Sequence, residues 1–163
     1  MGMFFRRGTT GVLFVPTIVD ITAPTAAELA AGTDLGPALA AMEGFETKLN
    51  RINQGVLKYK QELQIDGPQQ FGDAKLTLLE DDGTGATGDD LERKTIYAAL
   101  PEQATGFIVI NPVAQTFAAA DKVEVWPNRI GSKNRDFSLG TEPGRYICEL
   151  AITGAQEKNA IVT

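Results

Sequence analysis

The second half of the chain limits the fold more than any other feature. From Gly106 onward, "GFIVINP", "KVEVWPNRI", "RDFSLG", "RYICELAIT" and "NAIVT" follow one another as short β-branched or aromatic runs separated by Gly, Pro and Asn. That spacing is the mark of an antiparallel sandwich or barrel. In "RYICELAIT", Tyr146, Cys148, Leu150 and Ile152 share one parity, which predicts a strand with one buried face.

The first half mixes strands with two helices. Val12–Val15 is a β-branched and aromatic run that stops at Pro16. It is far too short for a signal core or a membrane span, so it reads as a strand of a protein made in the cytosol. Thr25 followed three residues later by Glu28 is a capping box, and Gly32 a stop, so a helix is predicted over Ala26–Ala31. "FETKLNRI" predicts a strand with one wet face and a bulge near Asn50–Ile52. Leu57, Tyr59, Leu63 and Ile65 alternate with polar residues up to Asp66-Gly67-Pro68. That pattern predicts an extended arm or hairpin strand ended by a turn. "KLTLLE" is another strand. A second helix is predicted from Asp90 to Leu100, capped by Asp89 with Glu92 at its third position and stopped by Pro101.

Composition narrows the chemistry. At 163 residues the chain can bury roughly 70% of its unfolded surface in one core. A net charge of −6 opposes general affinity for nucleic acid or for an anionic membrane. There is no histidine, so the commonest general base and metal ligand is missing, and the one cysteine excludes an internal disulfide or a Cys-based zinc site.

Gly83, Gly85 and Gly88 spell G-x-G-x-x-G, but Glu80, Asp81, Asp82, Asp89, Asp90 and Glu92 surround them. A pyrophosphate there would meet six carboxylates against a helix dipole worth about 0.3–1 kcal/mol. The acids do not fall in EF-hand register, so a solvated loop is the simpler reading, with a calcium site left open. Arg129, Lys133 and Arg135 in "NRIGSKNR" make a small basic group without interleaved aromatics. They suit a solvated hairpin turn or a contact with an acidic neighbouring subunit better than nucleic acid. Cys148 has no histidine to activate it and reads as core, as does Trp126. No catalytic constellation and no cofactor site emerges, so the chain reads as a non-enzyme.

The order of the pieces resembles a known family. "VLFVPTIVDITAPTAAELAAGTDL", "EGFETKLNRI", "LTLLEDDGTGATGDDLERKTIYAAL", "TGFIVINP", "KVEVWPNRIGS" and "GRYICELAITGAQEKNAIVT" together resemble the major tail (tail tube) proteins of long-tailed, non-contractile bacteriophages, especially those of actinobacteria. The resemblance implies one mainly β domain over 1–163, an antiparallel sandwich or half-barrel with one flanking helix. It also implies a projecting arm near 54–73 and extended terminal tails. Six copies would close into a large β-barrel ring, and rings would stack into a tube that takes up a tape-measure protein and then passes DNA. Partners would be the tail terminator and distal tail or baseplate proteins, with no membrane and no sheath. The protein would reside in the virion tail after assembly in the host cytoplasm. On that picture Glu46, Lys48, Asn50, Lys75 and Thr77 are expected to line the lumen. Leu57, Tyr59, Leu63 and Ile65 are expected to form an inter-subunit arm, and Arg129, Lys133 and Arg135 to make inter-subunit charge contacts. About twenty-four strands spaced 4.8 Å apart and tilted about 40° enclose a backbone circle roughly 48 Å across. Side chains reduce that to a bore of about 38 Å. Two other readings stay open: another virion or injection-machine part (tail terminator, connector or contractile inner-tube protein), and a calcium- or ligand-binding β-sandwich.

Overall fold

The computed structural model describes residues 8–54, 63–81, 83, 88–137 and 140–163. Its elements are β1 (Gly11–Val15), α1 (Ala26–Ala30), β2 (Thr33–Asp34), β3 (Leu39–Glu43), β4 (Thr47–Gln54), β5 (Leu63–Phe71), β6 (Ala74–Leu79), α2 (Gly88–Ala99), β7 (Thr105–Asn111), β8 (Lys122–Asp136), β9 (Arg145–Ile152) and β10 (Glu157–Ile161). Among the described residues eight strands form one sheet in the order β2-β1-β7-β8-β9-β6-β3, with β10 beside β8, while β4 and β5 pair only with each other. Every pairing is antiparallel. The mainly β, antiparallel expectation holds. The sandwich takes the form of one continuous sheet curled over its own core, not two separate sheets, and one chain does not close a barrel.

Two cores explain the curl. On one face Val12 and Phe14 of β1, Leu76 and Leu78 of β6, Trp126 of β8, and Tyr146 and Cys148 of β9 pack with Ile96 of α2 and with Leu100. Strands near opposite ends of the sheet thus share one apolar interior. On the other face Leu13, Val15, Val109 and Val125 pack against Leu29 of α1 and Ala160 of β10. Strand β1 is therefore buried along its whole length, as a strand covered on both faces must be. β6 and β9 alternate buried and partly exposed residues, so they leave one face wet.

Helix α1 begins with the predicted capping box: Glu28 N–H donates to Thr25 Oγ1 at 3.2 Å, and Thr25 N–H donates to Glu28 Oε2 at 2.8 Å. Helix α2 starts at Gly88, with Asp89 and Asp90 already in its first turn. The expected Asp89 cap is therefore corrected; residues 84–87, just before Gly88, lie outside those described. At the end of β7, buried Asn111 ties down the following loop. Its amide donates to Thr116 O at 2.8 Å, and its Oδ1 accepts from Val113 and Ala114 N–H.

Two predicted turns prove to be bulges. "NRIGSKNR" is not a hairpin turn: β8 runs through it for 15 residues, with a register shift between Ile130 and Ser132. The strand changes partners there. Its first half pairs with β7 and β10, and its second half with β9. Pro127 falls where β10 gives way to β9. Its carbonyl accepts from Thr153 N–H at 3.0 Å, so its missing N–H lies in the gap between those two strands. Likewise Asp66-Gly67-Pro68 does not end a strand. It lies inside β5, where Gly67 and Pro68 bulge opposite Asn50. The bulge expected near Asn50 exists, with its extra residue on the partner strand. A Cβ on Gly67 would come 2.7 Å from Asn50 O, so only glycine fits this approach.

Candidate assembly surfaces

β8's second half, β9, β6 and β3 form a four-stranded section with one wet face. Lys75 lies in register between Glu43 of β3 and Glu149 of β9. Thr77 stands opposite Ala41 and Ile147. Ser132 Oγ donates to Glu149 Oε2 at 3.2 Å, and Arg145 pairs with Asp136 at 2.8 Å and with Glu142 at 3.0 Å. Those carboxylates hold the Arg145 guanidinium above its ordinary pKa, the Asp136 hydrogen bond acting most strongly. The face is mixed in charge, not basic.

Both borders of this section are open. Among the described residues β3 pairs with β6 alone. Beyond Ile130, β8 has no strand on the side away from β9 among the described residues. Side chains cover part of that edge. Glu102 Oε1 accepts from Lys133 N–H at 3.0 Å, and Gln103 Nε2 donates to Gly131 O at 3.3 Å. Two residues on, Arg135 turns its backbone groups the same way, because strand residues alternate. Beside β3 a groove of about 1010 Å³ separates it from β1, walled by Val12, Leu39, Met42, Leu79 and Ile110.

The β4–β5 hairpin projects as a separate ribbon. At its root the chain passes through Gly44 at φ +76, a conformation open to glycine. Phe45 anchors the root edge-on against Trp126, with ring centroids 5.6 Å apart. Further out, Leu49, Ile52, Ile65 and Phe71 are exposed, with Ile52 directly opposite Ile65. A two-stranded ribbon is marginal in water by itself, and a group of exposed apolar side chains is the usual sign of an interaction surface.

The expected site residues divide among these places. Lys75 and Thr77 are on the wet face. Glu46 and Lys48 form an exposed ion pair (3.2 Å) at the foot of the hairpin, and Asn50 sits at its bulge, so the five are not on one sheet. Leu57 and Tyr59 lie outside the described residues. Leu63 opens β5 opposite Gln54, two residues before Ile65. Lys133 and Arg135 engage their own chain: Lys133 Nζ stands 3.6 Å over the Tyr97 ring and donates to Tyr97 O at 2.9 Å, while Arg135 pairs with Glu80 at 2.8 Å. Partial burial pulls the Lys133 pKa down. Arg129 donates to the Gln103 side chain. What sequence reasoning missed was the pair of open borders, since β3 ("LAAME") has no alternation to reveal it.

No three or more Asp, Glu, Cys or His side chains gather to hold a metal among the described residues. Cys148 is buried, and burial pushes its thiol up to about 11, so it is poorly suited to act as a nucleophile. No helix among the described residues is long and apolar enough to cross a membrane.

Comparison with known proteins agrees with this structural reading. No curated protein sequence matches the chain. A solved structure of similar fold is a chain of the anti-feeding prophage baseplate, a 6-fold symmetrised cryo-EM structure. It has 13% identity and a TM-score of 0.56, with 96% of this chain and 97% of that one covered. The family model described as phage tail tube protein matches residues 2–163. That family is structural and not enzymatic, and a match over nearly the whole length means that this chain belongs to the phage tail tube protein family.

Proposed function

We propose that copies of this chain join β3 of one to the second half of β8 of the next, closing a ring of six that stacks into the hollow tube of a phage tail. The observation that carries this reading is the two open borders of the β8-β9-β6-β3 section. Exposed edges of this kind invite pairing with another chain. Every neighbouring pair in the section is antiparallel, so β3 and β8 run in opposite senses. Adding β8 of a second copy to β3 continues the alternation without a break. Six copies supply about twenty-four strands and the bore of about 38 Å computed from strand spacing and tilt. The baseplate chain of similar fold comes from a 6-fold symmetrised assembly.

The wet face becomes the lumen, with Lys75 and Thr77 on it and Glu43 and Glu149 flanking Lys75. A mixed, slightly acidic wall lets DNA slide, where a basic one would bind its phosphates at every ring. Glu46, Lys48 and Asn50 sit at the lumen rim where the hairpin departs. The hairpin, with Leu57, Tyr59, Leu63 and Ile65, makes contacts between rings or neighbours. Arg129 and the exposed flank of Arg135 meet acids of the adjacent copy. The lumen holds a tape-measure protein before DNA passes, and the tube ends meet a terminator and distal tail or baseplate proteins. The tube is unsheathed, is built in the host cytoplasm and ends up in the virion.

Electron microscopy of the purified protein at rising concentration tests the reading. Long hollow fibres with six-fold end views are expected, and a persistent monomer would overturn it. The fold shared with a baseplate chain favours one second reading, a baseplate or connector ring, for which isolated rings without fibres would be seen.

A further inference from the structure

We propose that Phe137 of one copy is the apolar anchor of the joint between copies and seats in the groove beside β3 of the next; this rests on the ring reading above. Phe137 follows β8 directly and is 83% exposed, with no covering contact among the described residues. The opposite border of the section carries a mainly apolar groove of about 1010 Å³, walled by Leu39, Met42, Leu79, Val12 and Ile110, with Asp34 and Gln115 also lining it.

Register brings the two together. Asp136 of β8 lies opposite Arg145, Arg145 opposite Leu79, and Leu78 opposite Leu39. The end of β8 and the start of β3 are therefore at the same end of the section. When β8 of a second copy pairs antiparallel with β3, its Asp136 end arrives beside Leu39, at the groove. The wall residues Leu39 to Met42 span about 10 Å along the strand, which leaves room for the stagger that a tilted barrel needs.

Side-chain direction also agrees. Past its bulge, β8 places Lys133 opposite Cys148 and Arg135 opposite Tyr146, and both of those partners are core residues. Phe137 is one residue past the end of β8, and continuing that alternation turns its side chain to the core side of the sheet. On β3, Leu39 opposes Leu78 and Met42 opposes Leu76, again core residues, so these two walls of the groove lie on the same side as Phe137, while Leu79 closes it from the other face.

Two variants of the full chain test this. Phe137→Asp should leave the thermal transition of the free protein unchanged, because the side chain is exposed. It should raise the concentration needed for tube formation by about 10- to 100-fold. Phe137→Cys combined with Ala40→Cys should, in oxidised tubes, give a covalent ladder ending at the ring size on denaturing gels, while either single cysteine gives no ladder. Normal assembly of Phe137→Asp together with no ladder would refute the anchor and leave the ring reading standing. Wild-type protein that forms no rings at all would overturn both.

Discussion

Tyr146 is fully buried, and its hydroxyl meets no hydrogen-bond partner among the described residues. Its ring packs edge-on to Tyr97 at 5.0 Å, and burial drives its pKa upward. An orphaned buried hydroxyl costs more than the ring gains from carrying it. Tyr146→Phe should therefore leave stability unchanged or raise it by about 1 kcal/mol, as urea unfolding would show; a loss above 1 kcal/mol would contradict this. Cys148, with its thiol at about 11, should resist alkylation at pH 8 in the native protein and react once unfolded. At the start of α1, hydrogen bonds from Thr25 and Val19 N–H hold the Glu28 carboxyl below its ordinary value of 4.5. A depressed folded pKa means stability that is present above 4.5 and lost as pH falls through the folded value. Glu28→Gln should be less stable than wild type at pH 7, and the gap should shrink as pH falls below 4.5 and through the lowered folded value. A pH-independent gap would point to packing instead.

At the scale of elements, what could be read in advance depended on whether a strand has one wet face. β6, β7 and β9 announce themselves by alternation or by dense β-branching. β8 reads as two strands because "NRIGSKNR" looks like a turn; a bulge at Gly131, with β9 as partner on both sides of it, lets one strand run through. β3 was invisible because Leu39-Ala40-Ala41-Met42 suits helix or strand equally. The candidate assembly borders were illegible for a related reason. An edge is a property of strand order, which rests on pairings between distant segments, and no local window contains it. The bulge in the hairpin makes its own prediction. Gly67→Ala, with Asn50 O 2.7 Å from the new methyl, should loosen β4–β5 alone. Hydrogen exchange should speed up for amides of that ribbon and stay slow in β7 and β9. Uniform acceleration would mean that the hairpin and the core unfold together.

For the whole molecule, the contrast is between a body with two buried cores and a hairpin that carries exposed apolar side chains. The two cores lie within the curled sheet and its helices, whereas Ile52 and Ile65 on the hairpin are 53% and 46% exposed. Replacing both with lysine should leave the monomer's unfolding transition in place and abolish tubes by sedimentation and microscopy. Fibres of normal yield from that double variant would remove the hairpin from the assembly.

The antiparallel section contributes an even number of strands, and this has a consequence for evolution and for engineering. In the ring proposed above, any whole number of copies would preserve the alternation, so hydrogen bonding would not count to six. The count would be left to the angle at which neighbours meet, and side chains at the joint would set that angle. Changes of residue volume there should yield wider or narrower pipes from an otherwise identical fold.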